Sequence, residues 1–82
     1  MAERILVVDD DAGVREALSE FLLSLGYVVV VVENGEEALA EYKKSEFDVV
    51  MADLIMPNMD GMELLRRIRE MKNNEVIFLM IT

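Results

Sequence analysis

Four short apolar runs punctuate this chain: Arg4 to Val8, Tyr27 to Val32, Val49 to Ala52, and Val76 to Ile81. Each is separated from the next by a stretch with helical spacing. A half-exposed strand alternates apolar with polar residues, and these runs do not alternate. They suit strands covered on both faces, as inside a parallel sheet. Parallel neighbours need crossover helices, and such crossovers are right-handed. The expected fold is therefore α/β, in the order β-α-β-α-β-α-β, with helices on both faces of a parallel sheet. A chain of 82 residues makes one domain, and it buries only about 60–65% of its unfolded surface.

The connecting segments carry their own start and stop signals. The first helix is expected over about Ala12 to Leu25, with Val14, Ala17, Leu18, Phe21, Leu22 and Leu25 on one stripe. Gly26 is placed to stop it in a left-handed conformation. The second, about Gly35 to Lys44, opens on Asn34 with Glu37 at the third helical position, and turns Ala38, Leu39 and Tyr42 inward. The third, about Met62 to Lys72, is capped by Asp60. Met62, Leu65, Ile68 and Met71 are expected in the core, with Arg66, Arg67 and Arg69 as its solvated face. Asn73-Asn74 turns the chain into the last strand.

Two of the strands end in acids. Asp9-Asp10-Asp11 follows the first and Asp53 ends the third. A lone acid between a strand and a loop is often a turn former. In a parallel α/β sheet, however, the C-terminal strand ends share the edge at which such folds bind ligands, and two acidic ends there make a site. Capping of the first helix accounts for Asp11 and leaves Asp9 and Asp10 unexplained. Three clustered carboxylates repel, so at least one should hold its proton more tightly. A hard cation such as Mg²⁺ relieves that repulsion while keeping positions open for a phosphoryl oxygen. One carboxylate can then attack phosphorus. Thr82, at a neighbouring strand end, would offer a hydroxyl to the transferred group.

Composition narrows the chemistry. The chain has no histidine and no cysteine, which removes Ser-His-Asp and thiol catalysis and imidazole or thiolate metal sites. Phosphoryl transfer needs mainly positioning and charge neutralisation, which carboxylates and a cation can supply. Seventeen acids against eight bases, a formal charge of −9, argue against a nucleic-acid partner. No apolar run is long enough to span a membrane and MAERILVV is no signal peptide, so a cytoplasmic protein without a membrane partner is expected.

ILVVDDD, GY, ENGEEAL, FDVVMADLIMPNMDG and the terminal IT together resemble the receiver domain of bacterial two-component response regulators. The resemblance runs through the whole chain in order. It implies a flavodoxin-like sheet with strand order 2-1-3-4. It implies that Asp53 is the phosphoacceptor, taking its phosphoryl group from a histidine kinase or a small phosphodonor. Asp10 would bind Mg²⁺ directly and Asp9 mainly through water, with Asp53 and the backbone carbonyl of Ile55 completing the protein ligands. Pro57 and Gly61 would shape the loop, and Thr82 would be the switch hydroxyl. Such a module is a switch rather than a turnover enzyme.

The family pattern continues beyond the fourth strand with a helix, a fifth strand and a last helix, and includes a lysine that pairs with the phosphoryl group. Lys43, Lys44 and Lys72 lie on helices or their ends and do not replace it. The expectation is thus a truncated receiver with impaired signalling. The alternative is a receiver-derived fragment, natural or engineered, whose main property is folding and self-association. In either case the fourth strand would be an open apolar edge, so a homodimer or larger assembly through it is expected. A haloacid-dehalogenase-like phosphatase would need Asp-x-Asp after its nucleophile strand, whereas Asp53 is followed by Leu54-Ile55.

Overall fold

The computed structural model describes residues 3–71 and 75–81. Within them lie β1 (Arg4–Val8), α1 (Ala12–Ser24), β2 (Val28–Val32), α2 (Gly35–Lys44), β3 (Val49–Asp53), α3 (Gly61–Arg69) and β4 (Ile77–Ile81). All strands are parallel, in the order β2-β1-β3-β4, as expected. In register, Leu6 of β1 sits between Val30 and Val50. Leu6, Val8, Val50 and Ala52 face α2 and α3 and pack with Ala38, Leu39, Leu64 and Ile68. Ile5 and Val7 point the other way, against Leu22 of α1.

The caps set the boundaries. The side chain of Asp11 accepts from the N–H groups of Gly13 and Val14, that of Asn34 from Glu37, and that of Asp60 from Glu63. Glu37 reaches back to accept the N–H of Glu33 at 3.1 Å. At the end of α1, Gly26 has φ +94°; its N–H donates to the carbonyl of Leu23 and that of Tyr27 to Leu22. This is a Schellman ending. It holds Tyr27 in the helix terminus, and the strand starts at Val28 instead.

Two expected helix faces need correction. Of the α1 stripe only Leu22 is buried; Phe21 and Leu25 are 61% and 57% exposed and Ala17 is exposed too. α1 is the only described helix on its side of the sheet, and nothing described covers that flank. In α3 the buried line is Gly61, Leu64 and Ile68, whereas Met62 is exposed and Leu65 only half-buried. The phase is set by Gly61: a Cβ there would lie 2.5 Å from the Asp53 carbonyl oxygen. That close approach turns the glycine inward and Met62 outward.

Arg66 and Arg67 lie on the solvated face, as expected, and both bond the Glu63 carboxylate. They hold its pKa down to about 2. This contribution to stability is present above the unfolded carboxylate range and is lost as pH falls from about 4.3 towards 2. An NMR titration should give a Glu63 midpoint near 2, and Arg66→Ala should move it back towards the ordinary glutamate value.

At the β4 edge the N–H of Ile77 donates to Asp48, and the carbonyl of Ile81 accepts from Leu54. By the alternation of a parallel ladder, the backbone groups of Phe78 and Met80 then point outward, away from β3.

Candidate functional site

β1 and β3 are neighbours, so the residues that follow or end them meet at one edge. One oxygen each from Asp9, Asp10 and Asp53 lies within 4.8 Å of the others. Asp9 is buried, Asp53 half-buried and Asp10 exposed. Asp9 is built in. Its N–H donates to the Val32 carbonyl, its Oδ1 accepts the Asp11 N–H at 2.9 Å, and its carbonyl accepts from Arg15 Nη1 at 2.7 Å. Burial pushes its pKa up, the Asp11 N–H partly opposes that, and repulsion from Asp53, Asp10 and Asp11 adds to the rise. The expected tightening of a proton in the cluster therefore falls on Asp9.

Asp53 Oδ1 accepts the N–H of Ile55 at 3.2 Å, which fixes the plane of the carboxylate and starts the loop. Ile55 itself is 79% exposed. Thr82 lies outside the described residues; the strand that leads to it ends at Ile81, paired with Asp53. The loop is held by Met56 and Met59, both buried, while Pro57 is exposed. Asn58 takes φ 70°, a left-handed position that asparagine tolerates better than most residues. The loop closes where the Gly61 N–H donates to Leu54.

The residue types at this edge fit a hard divalent cation. All three side chains are oxygen donors, they are mutually repulsive, and the described ion pairs lie elsewhere, on α2 and α3. Lys43 and Lys44 line a groove at the opposite end of the sheet with Tyr42 and Phe47, so neither reaches the carboxylates. Met56 and Met59 anchor the loop; they are the methionines of the D-x-x-M-P-x-M-x-G pattern that runs from Asp53 to Gly61, although that pattern did not say what they do. One contributor was not singled out from the sequence. Arg15 holds the Asp9 carbonyl, and a basic residue early in α1 is a weak hint of that.

A family model of the response regulator receiver domain matches residues 5–82. The chain is 42% identical over 76 residues to the transcriptional regulatory protein ResD of Bacillus subtilis, covering 93% of this chain and 32% of that relative. It thus spans about a third of that protein's length. The chemotaxis response regulator CheY4 of Vibrio cholerae superposes with a TM-score of 0.91 at 35% identity, over 98% of this chain and 68% of the other. The response regulator TrrA of Thermotoga maritima, solved in complex with Mg²⁺-BeF, gives 0.86 at 41% identity, over 93% and 65% of the two chains.

Proposed function

Because the chain belongs to the response regulator receiver domain family, we propose that it is a Mg²⁺-dependent phosphoacceptor that is modified on Asp53. The observation that carries this reading is the convergence of Asp9, Asp10 and Asp53 within 4.8 Å at the C-terminal edge of the sheet. Asp9, Asp10, Asp53 and the Ile55 carbonyl would hold the ion. When bound, the ion neutralises the charge on the phosphoryl oxygens.

The remaining work belongs to the chain's own groups. The Ile55 N–H holds one oxygen of Asp53, which leaves the other free to attack phosphorus. With a phosphohistidine donor of a histidine kinase, a P–O bond forms at Asp53 as the P–N bond breaks and the imidazole leaves. A small acyl phosphate donor would lose its carboxylate instead. Asp9, tied to the Asp11 N–H and to Arg15, keeps the first strand end in place while charge moves beside it. The Thr82 hydroxyl would contact the new phosphoryl group.

The chain is then a signalling switch rather than a turnover enzyme, acting in the cytoplasm without nucleic-acid or membrane partners. No described helix is long and apolar enough to cross a membrane. Self-association at the β4 side belongs to the same reading.

Peptide mass mapping after incubation with acetyl phosphate and Mg²⁺ tests the assignment: one phosphoryl group on Asp53 is expected, and a group on any other residue overturns it. A second expected outcome is thermal. Mg²⁺ at a hundredfold excess over its Kd should stabilise the fold by about 2.7 kcal/mol, and the rise in Tm should vanish in Asp10→Asn.

A further inference from the structure

The sheet ends unevenly at the acidic edge. The last rung from β1 to β2 runs from the Asp9 N–H to the Val32 carbonyl at 3.2 Å. In a parallel ladder, a residue whose N–H donates to the neighbouring strand also turns its carbonyl towards that strand. With Val8 opposite Val32, the next rung would bring the N–H of Asn34 to the Asp9 carbonyl. β2 has turned away by then, because Asn34 caps α2. Arg15 supplies the missing donor from α1, with its Nη1 2.7 Å from the Asp9 carbonyl oxygen. It is half-buried and, among the described residues, makes no ion pair. In a chain with seventeen acids, its partner is a carbonyl.

Asp10 is the residue that this bond governs. It is exposed, and among the described residues nothing bonds its carboxylate. Its place therefore comes from the two peptide groups that flank it. The one after it is pinned by the Asp11 N–H, which donates to Asp9 Oδ1 at 2.9 Å. The one before it carries the carbonyl that Arg15 holds. A planar peptide tied at its oxygen does not swing freely, so Asp10 leaves the strand in a set direction. We infer that Arg15 is a positioning residue for the proposed cation site. By holding the Asp9–Asp10 peptide it keeps the Asp10 carboxylate within reach of Asp9 and Asp53. Charge and positioning act in opposite senses here. A guanidinium close to a cation repels it, so by charge alone its removal would tighten binding. Positioning requires that removal weaken binding, and groups that orient metal ligands commonly change affinity by roughly 10–100-fold. This role rests on the cation reading above, but the order of the Asp10 backbone can be measured without any ion.

Arg15→Met removes the donor and keeps an unbranched stem. In Mg²⁺ titrations followed by amide shifts, its Kd should rise roughly 10–100-fold over the parent, with an unchanged circular dichroism spectrum. Arg15→Lys keeps a charged donor on a long stem and should recover most of that loss. Arg15→Gln, whose amide is too short to reach the carbonyl, should match Arg15→Met, and replaces it if the apolar side chain unsettles the fold. Without Mg²⁺, the order parameter of the Asp10 amide should fall in Arg15→Met from about 0.85 towards 0.6, while Leu6 inside β1 stays rigid. Unchanged or tighter binding in Arg15→Met overturns the inference, and so does an Asp10 amide as ordered as in the parent. A parent whose amides near Asp9, Asp10 and Asp53 ignore Mg²⁺ overturns the cation reading instead, and the order parameter then decides on Arg15 alone.

Discussion

Asp53→Asn should take up no phosphoryl group from acetyl phosphate under conditions in which the parent is modified. Asparagine has nearly the same shape, and its side-chain oxygen can still accept the Ile55 N–H that Asp53 accepts at 3.2 Å, so the loop should keep its course. What is lost is the nucleophile, since an amide oxygen does not form a stable phosphoryl ester. The fold should gain slightly, because one of the charges that repel Asp9 is gone. Asp10→Asn should behave differently. Asp10 is exposed and would act through the cation, so uptake should fall by roughly 10²–10³ without vanishing. Time-resolved intact mass measurement separates the two. Residual labelling of Asp53→Asn at the parent's rate would mean that another group is the acceptor.

Gly61→Ala should cost the fold about 2–4 kcal/mol, a large part of the 5–15 kcal/mol that holds a domain together. A Cβ at Gly61 would lie 2.5 Å from the Asp53 carbonyl oxygen, 2.5 Å from Met80 Sδ and 3.0 Å from Leu54 Cα. Two of these three neighbours are backbone and cannot turn aside. The start of α3 must then move away from the end of β3, and Asp53 with it. Gly35 is the natural control. There an added Cβ meets only the Met59 side chain, at 2.6 Å from Sδ, and a methionine can change rotamer. Gly35→Ala should therefore cost less than about 1 kcal/mol. Thermal melts should show Tm falling by roughly 10 °C or more for Gly61→Ala. Equal effects at the two positions would contradict the close approach.

The same glycine marks where the sequence stops being readable. Strands, caps and acidic ends could be placed because each is a local pattern: a continuous apolar run, a capping side chain two or three residues before its N–H, a carboxylate just past a strand. Parallel order followed from alternation, and with it the meeting of Asp9, Asp10 and Asp53. The phase of α3 did not follow, because it depends on how near Gly61 comes to a strand eight residues earlier. Taken alone, the apolar spacing allowed Met62 and Leu65 as readily as Leu64. The α1 stripe was assigned correctly as apolar, but its burial depends on what lies beside the helix. For Phe21 and Leu25 nothing described does. Tyr27 looked like a strand residue until the turn at Gly26 claimed its N–H.

The place of β1 at the centre of the sheet also governs how the molecule can be made. β1 is synthesised first, yet it is completed only by β2 on one side and β3 on the other. At ribosomal speeds of ~5–20 residues per second, several seconds pass between the emergence of Asp9 and that of Asp53. Through that interval β1 and β2 form at most half a sheet, whose apolar face awaits α3 and whose first strand has an open side. The long closure between β1 and β3 costs chain entropy before any of their contacts repay it. The pairing of β1 with β3 is thus the longest strand-to-strand closure in the described sheet. Because that same pairing brings the third carboxylate to the other two, a nascent chain does not assemble its three acids until its core has closed.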